Sequence, residues 1–240
     1  MIDWLRRERT PPTVRLGDIE LPLAIRRHSR ATRMTLRLAP DGSEARVTLP
    51  RWGRTADAVD FAISRCDWLA EQLARIPRRI APQAGGSISY RGRPLAIEWS
   101  GSLPRRPSQH GGRLLVGGPE SGLAPRLQRW LEGEAQRLME ADLADYCLHA
   151  REPVPPLRLS RAQRRWGSCT SDGTIRINWR LIQAPDHVRR SVVAHEVAHL
   201  VHFDHSPAFH ALLGTIFEGD IAEANGWLRR HGRGLYSSFG

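Results

Sequence analysis

The sequence predicts an α+β protein: a β-rich N-terminal region, residues 1–121, precedes a C-terminal half, residues 122–240, in which a buried helix packs against a small antiparallel sheet. Three observations support this. Apolar and polar residues alternate with period two through 13–50, and strand-like runs return at 88–116 and 157–182. Apolar residues recur every three or four positions in 58–76 and 127–147. The stretch 187–202 keeps a helical pattern but is apolar nearly all round, as a buried helix is.

The elements follow in order. Val14–Leu23 and Arg33–Leu38 read as strands, Asp41-Gly42 marks a hairpin turn, and Ala45–Leu49 returns. Thr55 can cap a helix whose apolar face carries Ala58, Ala62, Leu69, Leu73 and Ile76. Ile88–Trp99 suggests a hairpin through Gly92, Gly101–Gly112 a mobile loop, and Arg113–Val116 another strand. A long helix fills 122–150, with Leu127, Trp130, Leu131 and Leu143 at helical spacing, and Pro153, Pro155 and Pro156 stop it. Leu157–Ser160 opens a strand, Asp172-Gly173 marks a tight turn, and Thr174–Ile182 is the returning strand. Asp186 caps the apolar helix, Ser206-Pro207 starts another, and Asp220 caps a last one through Leu228. No internal repeat is visible.

Composition narrows the function classes. The formal charge is +11, and all 36 cations are arginine. A codon bias accounts for that choice, but arginine also grips phosphate and carboxylate bidentately, so nucleic acid enters as a partner. Zinc-finger spacing and aromatic RNA-binding motifs are absent from the sequence. No apolar run approaches the roughly 20 residues of a membrane span. Met1–Thr10 lacks an apolar signal core, and Cys66, Cys147 and Cys169 form no Cys-x-x-Cys pair. These features indicate a cytoplasmic protein with reduced thiols.

The chemistry concentrates in Ser191–Pro207. His195 and His199 stand four apart, so on a helix they share a face and converge on one metal ion. Glu196 can reach a water at that metal. His205 supplies a third imidazole beyond the helix end and leaves a fourth tetrahedral position open, as catalytic zinc requires. Buried imidazoles and a buried carboxylate are costly unless something satisfies them. One Zn2+ per chain is the expected cofactor. A turn through His202, Phe203 and Asp204, using the tolerance of His and Asp for left-handed backbone, brings His205 back. Glu218 or Glu223 is the alternative third ligand. A metzincin would carry Gly at position 202 and a later Met, whereas this chain has His202 and no Met after Met139. The expected reaction is peptide hydrolysis by a metal-activated water, with Glu196 as general base and then proton donor to the leaving amine. His210 and Tyr236 are candidate auxiliary donors.

Arg165-Trp166-Gly167-Ser168-Cys169, Ile177-Asn178, His195–Leu200 and His205–Phe209 together resemble the YgjP-like metallopeptidase family, which is related to SprT-like and WLM-type zinc proteases. The resemblance covers about residues 160–230. It implies a minimal zincin-like catalytic domain, with His195, His199 and His205 as ligands and Glu196 as base, acting on polypeptide. His210 stands where the family usually has an aromatic residue such as Trp. The hairpin carrying Trp166, Cys169 and Asn178 is expected to border the cleft and to pair its free edge with substrate backbone. Cys169 is a further thiolate that could approach the zinc. The competing reading is a basic nucleic-acid-associated protein, either a protease acting on DNA-bound proteins or a binding module with structural zinc.

Overall fold

The computed structural model describes residues 12–76 and 80–239, so the polar stretch Met1–Thr10 lies outside the described residues. The chain forms two compact units, residues 1–78 and 79–240. The division falls ahead of the 121/122 boundary expected from sequence. The reason lies in the core: Ile88, Tyr90, Leu95, Ile97, Leu114 and Val116 share one hydrophobic cluster with Leu123, Leu127 and Leu131.

In the first unit, β1 (Thr13–Leu16) turns at Gly17, φ 62°, into antiparallel β2 (Ile19–His28). Strand β3 (Thr35–Leu38) returns as β4 (Ala45–Pro50) through the predicted Asp41-Gly42 turn, where Gly42 has φ 72°. Strands β2 and β4 pair in parallel, giving the order β1-β2-β4-β3. The single helix predicted over 55–76 is two, α1 (Thr55–Ile63) and α2 (Cys66–Ala74). The Ser64 hydroxyl bends back to the Phe61 carbonyl at 2.8 Å, competing with the helical ladder at the break.

The second unit opens with β5 (Ser87–Tyr90), β6 (Arg93–Trp99), β7 (Ser108–His110) and β8 (Arg113–Val116), in the order β5-β6-β8-β7. This repeats the topology of the first sheet, although the sequence shows no repeat. The stretch 101–112, read as a loop, contains β7, because Gly111 and Gly112, φ 50° and 82°, make the two-residue hairpin turn into β8. Helix α3 (Leu123–Ala150) crosses the unit and ends in left-handed Arg151, φ 58°.

Strand β9 (Leu157–Ser160) and β10 (Gly167–Cys169) flank β11 (Ile175–Asn178). The hairpin makes β10 antiparallel to β11, but β9 lies parallel on its other side. The sheet is therefore mixed, not antiparallel throughout as expected. The returning strand stops at Asn178, whose side-chain oxygen accepts the Arg180 N–H at 3.1 Å and opens a 3-10 turn over Trp179–Gln183. Helices α4 (Asp186–Val201), α5 (Pro207–Ile216) and α6 (Ile221–His231) complete the fold.

Two features hold α4. The β5–β6 hairpin tip donates its Arg91 and Gly92 N–H groups to Ile182 and Gln183 at 2.8 and 3.1 Å, just ahead of the helix. A Cβ at Gly92 would meet Pro185 at 2.8–3.0 Å, so only glycine fits that approach. On the other side, buried Arg189 of α4 donates to buried Asp142 of α3 at 2.7 Å, and Arg190 reaches Asp142, Asp145 and Glu218 at 2.6–3.1 Å. Among the described residues no helix is long and apolar enough to cross a membrane.

Candidate metal centre

Helix α4 presents His195 and His199 one turn apart, with ring centroids 4.9 Å from each other. The chain leaves the helix at His202 in extended conformation, φ −128° and ψ 107°. Left-handed backbone was expected in this turn, but among the described non-glycine residues only Arg91 and Arg151 adopt it. Instead the Asp204 carboxylate accepts the Ser206 N–H at 3.3 Å and shapes the return. Ser206 then caps α5, accepting from the Phe209 N–H at 3.4 Å. His205 is thereby set beside the other two, 5.2 Å from His195 and 4.8 Å from His199 between ring centroids.

One ligand-capable atom from each of His195, His199 and His205 lies within 4.8 Å of the other two. The Nε2 atoms of His195 and His205 are 3.3 Å apart. Zinc–nitrogen bonds of about 2.0–2.1 Å at the tetrahedral angle separate two nitrogens by about 3.3 Å, so this pair fits one ion. His199 Nδ1 stands 2.9 Å from the His202 carbonyl. A carbonyl only accepts, so Nδ1 carries the proton and Nε2 keeps its lone pair for a metal. Burial, followed by the neighbouring imidazoles of His199, His205 and His210, pushes His195 down to about 4, so its ring is neutral at pH 7. The donor set therefore suits a divalent transition metal. His205 is exposed and opens one side of the cluster to solvent.

Phe209 forms the floor. Its ring is fully buried, 5.0, 4.6 and 4.9 Å from the rings of His195, His199 and His205. From sequence, Phe209 stands out only as the end of the His205–Phe209 motif. The Ser206 cap was the available signal, since it fixes Phe209 in the first turn of α5.

Glu196, the residue after His195 on α4, is buried. Its side chain lies across Gly167 of β10, where a Cβ would stand 2.7 Å from Cγ and 2.8 Å from Cδ. Burial pushes the carboxyl up to about 7, against the Cys169 backbone N–H that donates to it and the nearby charge of Arg165. This contact supplies a reason for the Gly in Trp-Gly-Ser-Cys that sequence reasoning missed.

The remaining predicted residues separate. Cys169 lies near Glu196 but outside the imidazole cluster; burial, then Glu196 and Asp172, pushes its thiol up, so it stays protonated. Exposed His210 lies 6.4 Å from His205 between ring centroids, at the rim. Trp166 packs on Tyr236 at 5.9 Å. Asn178 donates to the Ala162 carbonyl at 2.8 Å and to the Tyr236 hydroxyl at 3.3 Å, and that hydroxyl donates to the same carbonyl. Trp166, Asn178 and Tyr236 thus brace the hairpin. Glu218 accepts from Tyr146 and Arg190 at 2.8 and 2.6 Å, and neither it nor Glu223 joins the cluster.

No curated protein sequence matches the chain. Among solved structures, the chain is similar to the crystal structure of the metallopeptidase zymogen of Pyrococcus abyssi abylysin, with 17% identity over 44% of this chain and 99% of that one, at a TM-score of 0.34. The sequence model of the YgjP-like, metallopeptidase domain matches residues 32–231, which include the imidazole cluster, Glu196 and the β10–β11 hairpin. The chain belongs to the YgjP-like metallopeptidase family.

Proposed function

We propose that this chain is a zinc-dependent peptidase in which His195, His199 and His205 hold one Zn2+ and Glu196 is the general base. The observation that carries the reading is the convergence of three imidazoles, with the carboxylate next in sequence to His195 buried. Zinc suits an all-imidazole set, and the open side at His205 argues against a closed structural site. A metal held there supplies Lewis acidity to a water nucleophile and to the peptide carbonyl.

The chain's own residues do the rest. Glu196 takes the proton of the attacking water and passes it to the leaving amine nitrogen. Gly167 and the Cys169 N–H fix where that carboxylate sits. Strand β10 is an edge of its sheet. Thr170 and Asn178 bond across the hairpin, Thr170 N–H to Thr174 and Asn178 N–H to Trp166. Alternation then turns the backbone of Gly167 and Cys169 outward, toward the free edge. The Cys169 N–H is taken by Glu196, so an extended polypeptide pairs along that edge through the Gly167 N–H and the Gly167 and Cys169 carbonyls and lays its scissile bond over the imidazoles. The arrangement is zincin-like, α4 beneath an edge strand, and residues 122–240 carry the catalytic machinery. His210 lines the rim of the cleft. The three free cysteines fit a reducing, cytoplasmic setting.

The deciding experiment pairs metal analysis with hydrolysis of a quenched fluorescent peptide library by wild type and Glu196→Gln. The variant is expected to keep about one zinc per chain, its three ligands being intact. Its activity is expected to fall by a factor on the order of 10²–10⁴. Equal activity in the two proteins removes Glu196 from the chemistry.

A further inference from the structure

We infer that an arginine-lined cavity along α3, separate from the imidazole cluster, is a docking site for single-stranded nucleic acid. The cavity encloses about 970 Å³, and its wall carries Arg105, Arg106, Arg126, Arg129 and Arg137. None of its lining residues belongs to the metal centre. The one acidic lining residue, Glu134, already accepts from Tyr90 at 2.8 Å and from Arg137 at 2.6 Å. Arg126 donates one guanidinium nitrogen to the Pro119 carbonyl at 2.6 Å, while its Nε is buried with no hydrogen-bond partner among the described residues. Arg105, Arg106 and Arg129 have no carboxylate partner among the described residues.

Such a wall is self-repelling, and a concave surface concentrates its field on an incoming anion. Its layout identifies the anion. Glu134 neutralises Arg137, which leaves Arg126 and Arg129 of α3 and Arg105 and Arg106 of the preceding loop, four cations from two elements around one cavity. One small anion would engage a single guanidinium or two, whereas four cations around one cavity, without a carboxylate partner among the described residues, match a chain of phosphates. Trp130 also lines the cavity, with Tyr90 packed against its ring at 5.1 Å. An aromatic face among arginines offers a stacking platform for a base, which an acidic peptide would not use. Contacts of this kind read the backbone and not the sequence.

The test titrates fluorescein-labelled oligo-dT of fifteen nucleotides against the full-length protein by anisotropy, at 50 to 300 mM salt. Wild type is expected to bind with an affinity that falls steeply with salt. The triple variant R105E/R106E/R129E is expected to bind at least tenfold more weakly. Its log–log salt slope should be shallower by about 2, at about 0.7 per phosphate contact. Peptide hydrolysis and melting temperature should be unchanged, which separates a lost docking site from a lost fold. A milder set, R105Q/R106Q/R129Q, should give an intermediate loss. Oligo-dT binding that ignores all three substitutions overturns the proposal. So does a fifteen-residue polyglutamate that competes as well as unlabelled oligo-dT, which would assign the cavity to acidic peptides.

Discussion

Gly167 has no side chain, and the Glu196 carboxylate occupies the space where one would stand. Alanine there drives its Cβ into a carboxylate that is itself buried, so the acid must rotate away from the cluster or push β10 outward. Gly167→Ala is expected to bind zinc like wild type and to lower kcat about tenfold to a hundredfold, part of what a general base contributes. Metal content by mass spectrometry and steady-state kinetics check this, and an unchanged kcat would show that the contact has no bearing on the base. The same scale shows which residues the sequence disclosed. His195 and His199 were legible as a pair because helix pitch puts residues four apart on one face. Asn178 and Tyr236 were not: their polar groups are spent on Ala162 and on each other, which no spacing announces.

Helix α4 is held by charge as well as by apolar packing. Arg189 and Asp142 are both buried, their side chains 3% and 6% exposed, in an ion pair that ties α4 to α3. Removing one partner strands the other in a dry environment. Arg189→Met is therefore expected to cost about 3 kcal/mol in urea denaturation, and R189M/D142L to recover much of that loss. A single-variant cost below about 1 kcal/mol would mean that Arg190, also bonded to Asp142, suffices alone. Element identity came mostly from local signals: the Asp41-Gly42 turn, the Ser206 cap and the apolar spacing of α3 all hold. The misread elements are those whose ends depend on side-chain bonds. Ser64 breaks the helix predicted over 55–76, and Asn178 ends a strand that apolar residues would continue through Ile182.

At the scale of the whole molecule, acid stability reports how the charges are tied together. Burial pushes Asp186 up, but hydrogen bonds from Arg91 and the charge of Arg189 outweigh it and hold the carboxyl below its ordinary range. A carboxylate depressed in the folded state stabilises the protein fully above its unfolded pKa, about 3.9, and loses that contribution as pH falls through the lower folded value. The stability gap between wild type and D186N should therefore stand open at pH 6 and close below about pH 4. Urea midpoints across pH 2.5–7 measure it, and a gap that persists unchanged to pH 2.5 contradicts the assignment. The comparison with D186N cancels titration of the imidazoles, which both proteins share. Two sheets of identical strand order also emerge at this scale, β1-β2-β4-β3 and β5-β6-β8-β7, with no matching repeat in sequence.

The sequence by itself determined the features that depend on near neighbours along the chain: helical and strand periodicity, turn and cap chemistry, the convergence of His195 with His199, and the excess of arginine. Tertiary structure alone decided the rest. It brought Gly167 of β10 against Glu196 of α4, seated the three imidazoles on Phe209, set β9 parallel to β11, and gathered arginines from the 101–107 loop and α3 around one cavity. The physical reason is that side-chain spacing specifies geometry only over a turn or two of backbone. Contacts between separate elements are set by how those elements pack, and that packing is a property of the whole core.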